Sequence, residues 1–259
     1  MALLTTHVRA RATYRFSFWV DMVSNLAFFG ADMFALLVMF AVADSLGGFT
    51  RPQVLVMFGF AGVGFTLADL AVGNIDTLRN YVRTGLLDTV LIRPLGVLGQ
   101  LLCLDFGVRR LGRMAYSIGV LAVALALCNP QWTAAKVAML ILAPIAGAAL
   151  FGSIFVATST VAFWWIESGE VGNVVTYGGR DFTSYPTSIY TGWFRQIFGF
   201  ALGLGFVAYY PALFVLDLPD PIGLPSATGW VGPVIAPLAV LVAALVWRMG
   251  VRHYRSTGS

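Results

Sequence analysis

Six apolar runs, each long enough to cross a bilayer, constrain this chain more than any other feature. A spanning helix needs about 20 predominantly apolar residues, and the runs fall at about 22–42, 52–72, 111–128, 134–165, 193–216 and 228–247. With 59% hydrophobic and 11% charged residues, the chain cannot cover a water-soluble core, since soluble domains run near 45–50% apolar and about 25% charged. The expected fold is all-α and integral to the membrane, one domain over residues 1–259. Short turn-rich stretches, Asp44 to Gly48 and Cys128 to Gln131, join antiparallel neighbours.

The basic residues give an orientation, because cytoplasmic loops near span ends carry the excess of Arg and Lys. Arg9, Arg11, Arg15, Arg79, Arg83, Arg93, Arg109, Arg110, Arg113, Arg180, Arg195, Arg248, Arg252 and Arg255 fall on one side, against Arg51 and Lys136 on the other. That bias predicts both termini in the cytoplasm, which an even number of spans requires. All seven tryptophans, Trp19, Trp132, Trp164, Trp165, Trp193, Trp230 and Trp247, lie near proposed span ends, where the amphipathic ring prefers the headgroup level. Ala41-Val42-Ala43 resembles a cleavage site, but the apolar run before it exceeds the 7–15 residues of a signal peptide. Residues 7–20, with Arg9, Arg11 and Arg15 among Val8, Tyr14, Phe16 and Phe18, read as a helix lying on the inner membrane surface.

Several chemistries are excluded. The single lysine, Lys136, follows Ala135, so no G-x-x-x-x-G-K-[ST] nucleotide loop exists. There is no H-E-x-x-H and no G-x-S-x-G, and His7 and His253 sit at opposite ends of the chain. No catalytic residue and no metal ligand set is expected; Cys103 and Cys128 are too few and too distant for a metal cluster or disulfide framework. The arginines come in short groups between apolar runs, not as the continuous basic face of a nucleic-acid binder. A membrane-embedded transferase would need His, Asp or Ser clustered at one depth, and a passive scaffold subunit remains the other alternative.

Two carboxylates lie within spans. An ionisable group mid-span is expensive enough to count as a functional hypothesis, so Asp32 either bonds a neighbouring helix, faces a wet cavity, or lines a cargo path. Asp69, near the inner end of the second run, is expected to pair with an arginine. Phe58, Phe65, Phe198 and Phe206 are candidate path residues, equally readable as lipid-facing. Gly59, Gly62 and Gly64, and the pair Gly199 and Gly203, suggest close helix approach. The fourth run would rise about 48 Å at 1.5 Å per residue against about 30 Å of hydrocarbon, so it tilts, kinks near Pro144, or continues into the cytoplasm; the last option brings Glu167 and Glu170 to a cytoplasmic partner.

The longest loop, 74–95, carries most of the polar information. Asn74 or Asp76 caps a helix start and Gly85 ends it; Leu78, Tyr81 and Val82 share one face, and Arg79 and Arg83 another. Leu86, Leu87, Val90, Leu91 and Ile92 stand where a mere linker would be polar. The run Tyr81-Val82-Arg83-Thr84-Gly85-Leu86-Leu87-Asp88-Thr89-Val90-Leu91-Ile92-Arg93-Pro94-Leu95 resembles the V-R-x-G-x-L-D-x-x-L-x-R-P-x signature of an ABC type-2 permease branch. Residues 15–25, Tyr185 to Arg195 and Trp247 to Tyr254 are similar to the same branch.

The resemblance implies a six-span permease in a bacterial cytoplasmic membrane, with a surface helix before the first span and a coupling helix between the second and third. It implies partners: a soluble P-loop ATPase dimer, which would hold the ATP and Mg, and a second permease subunit. This chain would bind no cofactor itself. Arg79, Tyr81, Arg83, Gly85, Leu87, Asp88, Leu91, Arg93 and Pro94 would belong to the ATPase-facing loop, and Pro186 to Arg195 to the cytoplasmic approach of the fifth span. Tyr209-Tyr210-Pro211 is expected to break the chain after that span, leaving a small outer cap. The small number of polar groups in the spans favours a hydrophobic or amphipathic cargo over a glycan or peptide, and the expected activity is its export by alternating access.

Overall fold

The computed structural model describes residues 30–103, 108–165 and 168–254. The surface helix expected over 7–20, the start of the first run, the stretch 15–25, Trp19, Glu167 and arginines 9, 11, 15 and 255 lie outside them. Among the described residues the chain is helical, with no strand. Among these residues four helices are long and apolar enough to cross a membrane, or five if one bent pair is a single span.

Helix α1 (Gly30–Val42) is a short apolar helix, followed by a tight turn in which Leu46 and Phe49 exchange backbone hydrogen bonds at 2.9 and 3.1 Å. Helix α2 (Arg51–Val72) starts on a capped turn: Pro52 suits the first helical turn, and the Thr50 N–H donates to Gln53 Oε1 at 2.8 Å. A short 3-10 stretch then leads into α3 (Leu78–Arg83), α4 (Leu86–Leu91) and α5 (Val97–Cys103). Helices α6 (Val108–Cys128) and α7 (Ala134–Thr160) follow, then α8 (Gly169–Thr183). The chain continues through Gly192–Ala201 and Leu204–Leu216 into α9 (Val231–His253).

Helix α2 is the hub, buried on nearly every side, whereas α6 and α9 leave most of their surface exposed. The sequence explains the close packing around it. A Cβ on Gly59 would lie 2.7 Å from Leu121 Cα of α6, and one on Gly62 would meet Ser117 Oγ at 2.9 Å. Gly64 instead faces Gly147 of α7 at 3.4 Å. These contacts run α6 antiparallel to α2 and α7 parallel to it. At the C-terminal end of α2, Asp69 meets Arg110 Nε at 3.2 Å and Arg113 Nη1 at 3.1 Å. This arginine-rich end of the bundle also receives the C-terminal end of α9, where Gly250 packs on Thr160 and Phe163. Trp247 turns inward there onto the Phe163 ring, 5.6 Å away.

The fourth run is a shorter helix than its apolar length suggests. It holds 27 residues with Pro144 inside, then tightens into a 3-10 turn, Val161–Phe163, and the chain reverses. Helix α8 climbs back along α7: Gly172 faces Thr158, Tyr177 lies 6.3 Å from Phe155, and Gly179 sits against Phe151. Beyond it, Ser188 Oγ donates to the Gly47 carbonyl at 3.2 Å, in the turn between α1 and α2. The passage between the two ends of the bundle is therefore made by α8 together with the chain that follows it to Ser188, a stretch with too many polar residues to stand out as a span.

This corrects the fifth run. The segment from Ser188 to Asp217 begins and ends at the same end of the bundle: Ser188 meets Gly47, Tyr209 packs on Phe49 at 5.9 Å, and Asp217 pairs with Lys136 at the start of α7. Its two limbs meet at 60°, at Gly203, whose φ of +72° suits glycine. Gly199 and Gly203 thus do not share one continuous helix face. Tyr209-Tyr210-Pro211 opens a helix, Tyr209–Leu216, instead of breaking one. The tract Pro186 to Arg195 lies away from the arginine-rich end, and Arg180 and Arg195 leave the group of loop arginines.

Gly59→Ala is expected to destabilise the fold by about 1–3 kcal/mol, the usual cost of forcing a methyl into a packed contact. Gly119→Ala on α6, where a Cβ meets nothing within 4 Å, is expected to leave the unfolding temperature unchanged or raised. Thermal unfolding in detergent checks both.

Candidate functional site

The loop at the arginine-rich end is a folded unit, not a tether. Ile75, Leu78, Val82, Leu87 and Val90 are buried and dock it onto the bundle. Helix α3 starts at Leu78 with no side-chain cap; Asn74 instead donates its amide to the Leu102 carbonyl at 3.0 Å. Gly85 has a φ of +69°, a conformation that costs other L-residues roughly 1–2 kcal/mol, and it separates α3 from α4. Gln100 Nε2 donates to the Val90 carbonyl at 3.1 Å and the Leu95 carbonyl at 2.9 Å. That clamp carries no motif, because it reads only backbone oxygens.

The residues marked in the loop divide between two faces. Leu87 points inward and Tyr81 packs partly against the core. Arg83, Leu91, Arg93 and Pro94 are exposed, together with Leu86, Ile92 and Leu95. Asp88 is half-buried and lies beside Tyr254 at the end of α9. Arg79 reaches upward: its Nη1 is 3.8 Å from Glu170 Oε1 at the start of α8. Leu86, Leu91, Ile92 and Leu95 are thus left exposed on the same loop as Arg83 and Arg93.

Above the loop, α8 brings a charge into the bundle. Arg180 Nη2 donates to Asp32 Oδ2 of α1 at 2.7 Å, and its guanidinium carbon lies 5.6 Å from the Phe65 ring centre. The Arg180 side chain is 8% exposed and that of Asp32 36%, so the ion pair is dry on one flank and open on the other. Asp181, 3.9 Å from Arg180, is mostly exposed. The partner of Asp32 escaped sequence reading because Arg180 sits in a glycine-rich polar stretch that resembles a loop.

The four phenylalanines do not converge on one cavity. Phe65 packs with Phe151, Phe155 and Tyr177; Phe198 stacks on Phe194 at 4.6 Å and neighbours Phe182; Phe206 stacks on Tyr210 at 5.2 Å; Phe58 is buried in α2. An apolar recess of about 400 Å³ lies elsewhere, between α7, α9 and the bend at Phe200 to Gly203. A polar recess of about 190 Å³ sits under α8, lined by Asp76, Arg79, Thr158, Ser159 and Asn173 among others.

A profile of ABC-2 family transporter proteins matches residues 26–258, which take in the bundle, the loop and α8 together. The chain belongs to the ABC-2 transporter family. No curated protein and no solved structure matches it. Membership makes this ABC-2 permease a multi-pass membrane transport component and implies association with an ABC ATPase.

The Asp32–Arg180 pair predicts a defined pattern of stabilities. Breaking a dry ion pair from one side costs about 3–5 kcal/mol, and replacing both partners by apolar groups is often neutral. With Asp32 a third exposed, Arg180→Leu is expected to cost on the order of 2 kcal/mol. The double variant Asp32→Leu with Arg180→Leu should recover part of that loss in the same unfolding measurement.

Proposed function

We propose that this ABC-2 family chain is the membrane-spanning half of an exporter whose ATPase is a separate chain. The observation that carries the proposal is the folded loop 74–95, with its buried face fixed to the bundle and its basic, apolar face turned outward. The arginine-rich end would be cytoplasmic, as the bias of Arg and Lys in short loops requires. Six passes would then follow, the fifth made by α8, with both termini on the cytoplasmic side of a bacterial inner membrane. ATP and Mg would be held by the partner ATPase dimer, and a second permease subunit would complete the path.

The mechanism in this reading is differential contact. Closure of the ATPase dimer would pull on Arg83, Asp88, Leu91 and Arg93, and the bundle would shift between two packings of different accessibility. Helix α2 runs directly into the loop, so its stroke reaches the hub first. A hydrophobic or amphipathic cargo suits the apolar spans and the small number of polar groups within them.

The test is purification of the chain from its native host with whatever binds it. An ABC ATPase that co-purifies and hydrolyses ATP supports the reading. Arg83→Ala and Asp88→Ala are expected to lower cargo-stimulated hydrolysis about tenfold, equivalent to about 1.4 kcal/mol of lost coupling, with assembly preserved. A chain that transports alone would contradict the proposal.

A further inference from the structure

The loop touches the bundle at a second place, with no covalent continuity to explain it. Helix α8 begins directly over Arg79. A Cβ built on Gly169 would lie 2.0 Å from Arg79 Nη1 and 2.7 Å from its Cζ, so only glycine leaves room for the guanidinium at this distance. Glu170 Oε1 stands 3.8 Å from the same nitrogen, which ties the first turn of α8 to α3 by charge as well as by shape.

From that contact α8 is guided along two helices. Thr176 Oγ1 lies 3.5 Å from Thr158 Oγ1 of α7, and Tyr177 packs against Phe65 of α2 at 5.8 Å. Its other flank, Asn173, Val174, Gly178 and Asp181, is exposed, so the packed contacts of the helix fall on one side. The polar recess of about 190 Å³ beside its first turns gives that end room to shift. Eleven residues beyond Gly169, roughly 16 Å along the axis, Arg180 grips Asp32 of α1.

We propose that α8 is a lever: the Arg79 guanidinium packed under Gly169 is its input from the loop, and the Arg180–Asp32 bridge is its output to α1. The proposal rests on the coupling role of the loop given above. Arg79 then acts as a positioning residue whose work depends on the absence of a side chain at Gly169. A close-packed joint suits this, because packed contacts switch between discrete arrangements instead of stretching continuously.

Two glycines in the same helix separate the lever from a folding effect. Gly169→Ala displaces the flexible guanidinium, whereas Gly172→Ala meets Thr158 Cβ at an ordinary 3.5 Å; both gain similar helix propensity. In the complex with its ATPase, with Cys103→Ser and Cys128→Ser, Asn173→Cys reports on α8 through its reaction rate with a water-soluble maleimide. Addition of ATP and vanadate is expected to change that rate by about fivefold or more, the low end of allosteric couplings. Gly169→Ala and Arg79→Ala should each bring the change below about twofold with ATPase bound and hydrolysing, Gly172→Ala should keep it, and the double variant should add nothing further.

Retention of the full change in Gly169→Ala, equal loss in Gly172→Ala, or no nucleotide-dependent change in the parent complex would each overturn the lever. Absence of an ATPase from the parent preparation would fail earlier and differently, taking down the coupling reading itself.

Discussion

An arginine at the depth of packed phenylalanines has to be satisfied where it stands, and the path of half the chain follows from how Arg180 is satisfied. A charged side chain at mid-bilayer costs about 2.5–3.5 kcal/mol on insertion scales. Asp32 meets that cost with a 2.7 Å bond, and Phe65 lends its ring face. To reach both, α8 must lie along α2 and α7 with its polar flank turned away from them. Residues 184–188 then arrive beside Gly47, and the apolar segment after them has only one end of the bundle in which to fold and return.

The same helix links two regions that look separate in the sequence. The loop after α2 is fixed below by Leu78, Val82, Leu87 and Val90, and by the Gln100 clamp. Arg79 turns back from the loop to meet the start of α8. Through α2 by chain continuity and through α8 by contact, the loop reaches both the hub and α1. That dual connection suits the coupling role proposed for the loop.

Much of the fold was legible because apolar length is a strong signal: four of the six runs are helices of nearly the expected bounds, and Gly59, Gly62 and Gly64 do mark close approach. Asp69 finds its arginines one helix away, as its place near a span end suggests. The misreadings share one cause, which is that hydropathy ranks segments by composition and not by neighbours. Gly169–Thr183 is polar, with Arg180 and Asp181 in it, yet it packs along the C-terminal part of α7, from Thr158 to Phe151, because its charge is paired and its glycines admit close contact. Residues 193–216 are apolar enough to span, yet Gly203 breaks them and Lys136 draws Asp217 back to the starting end. The motif of the loop covers residues of both its faces and does not separate them; the Asp32–Arg180 pair joins residues 148 positions apart, and nothing local in either stretch names the other.

The central claim is that α8, and not the segment 193–216, carries the fifth passage. The direct measurement is sidedness of labelling in sealed membrane vesicles for Thr191→Cys, Ser226→Cys and Arg93→Cys in a chain without its two native cysteines. The account predicts that Thr191→Cys and Ser226→Cys react from the same, outer side and Arg93→Cys from the inner side. Labelling of Thr191→Cys from the side of Arg93→Cys would contradict it.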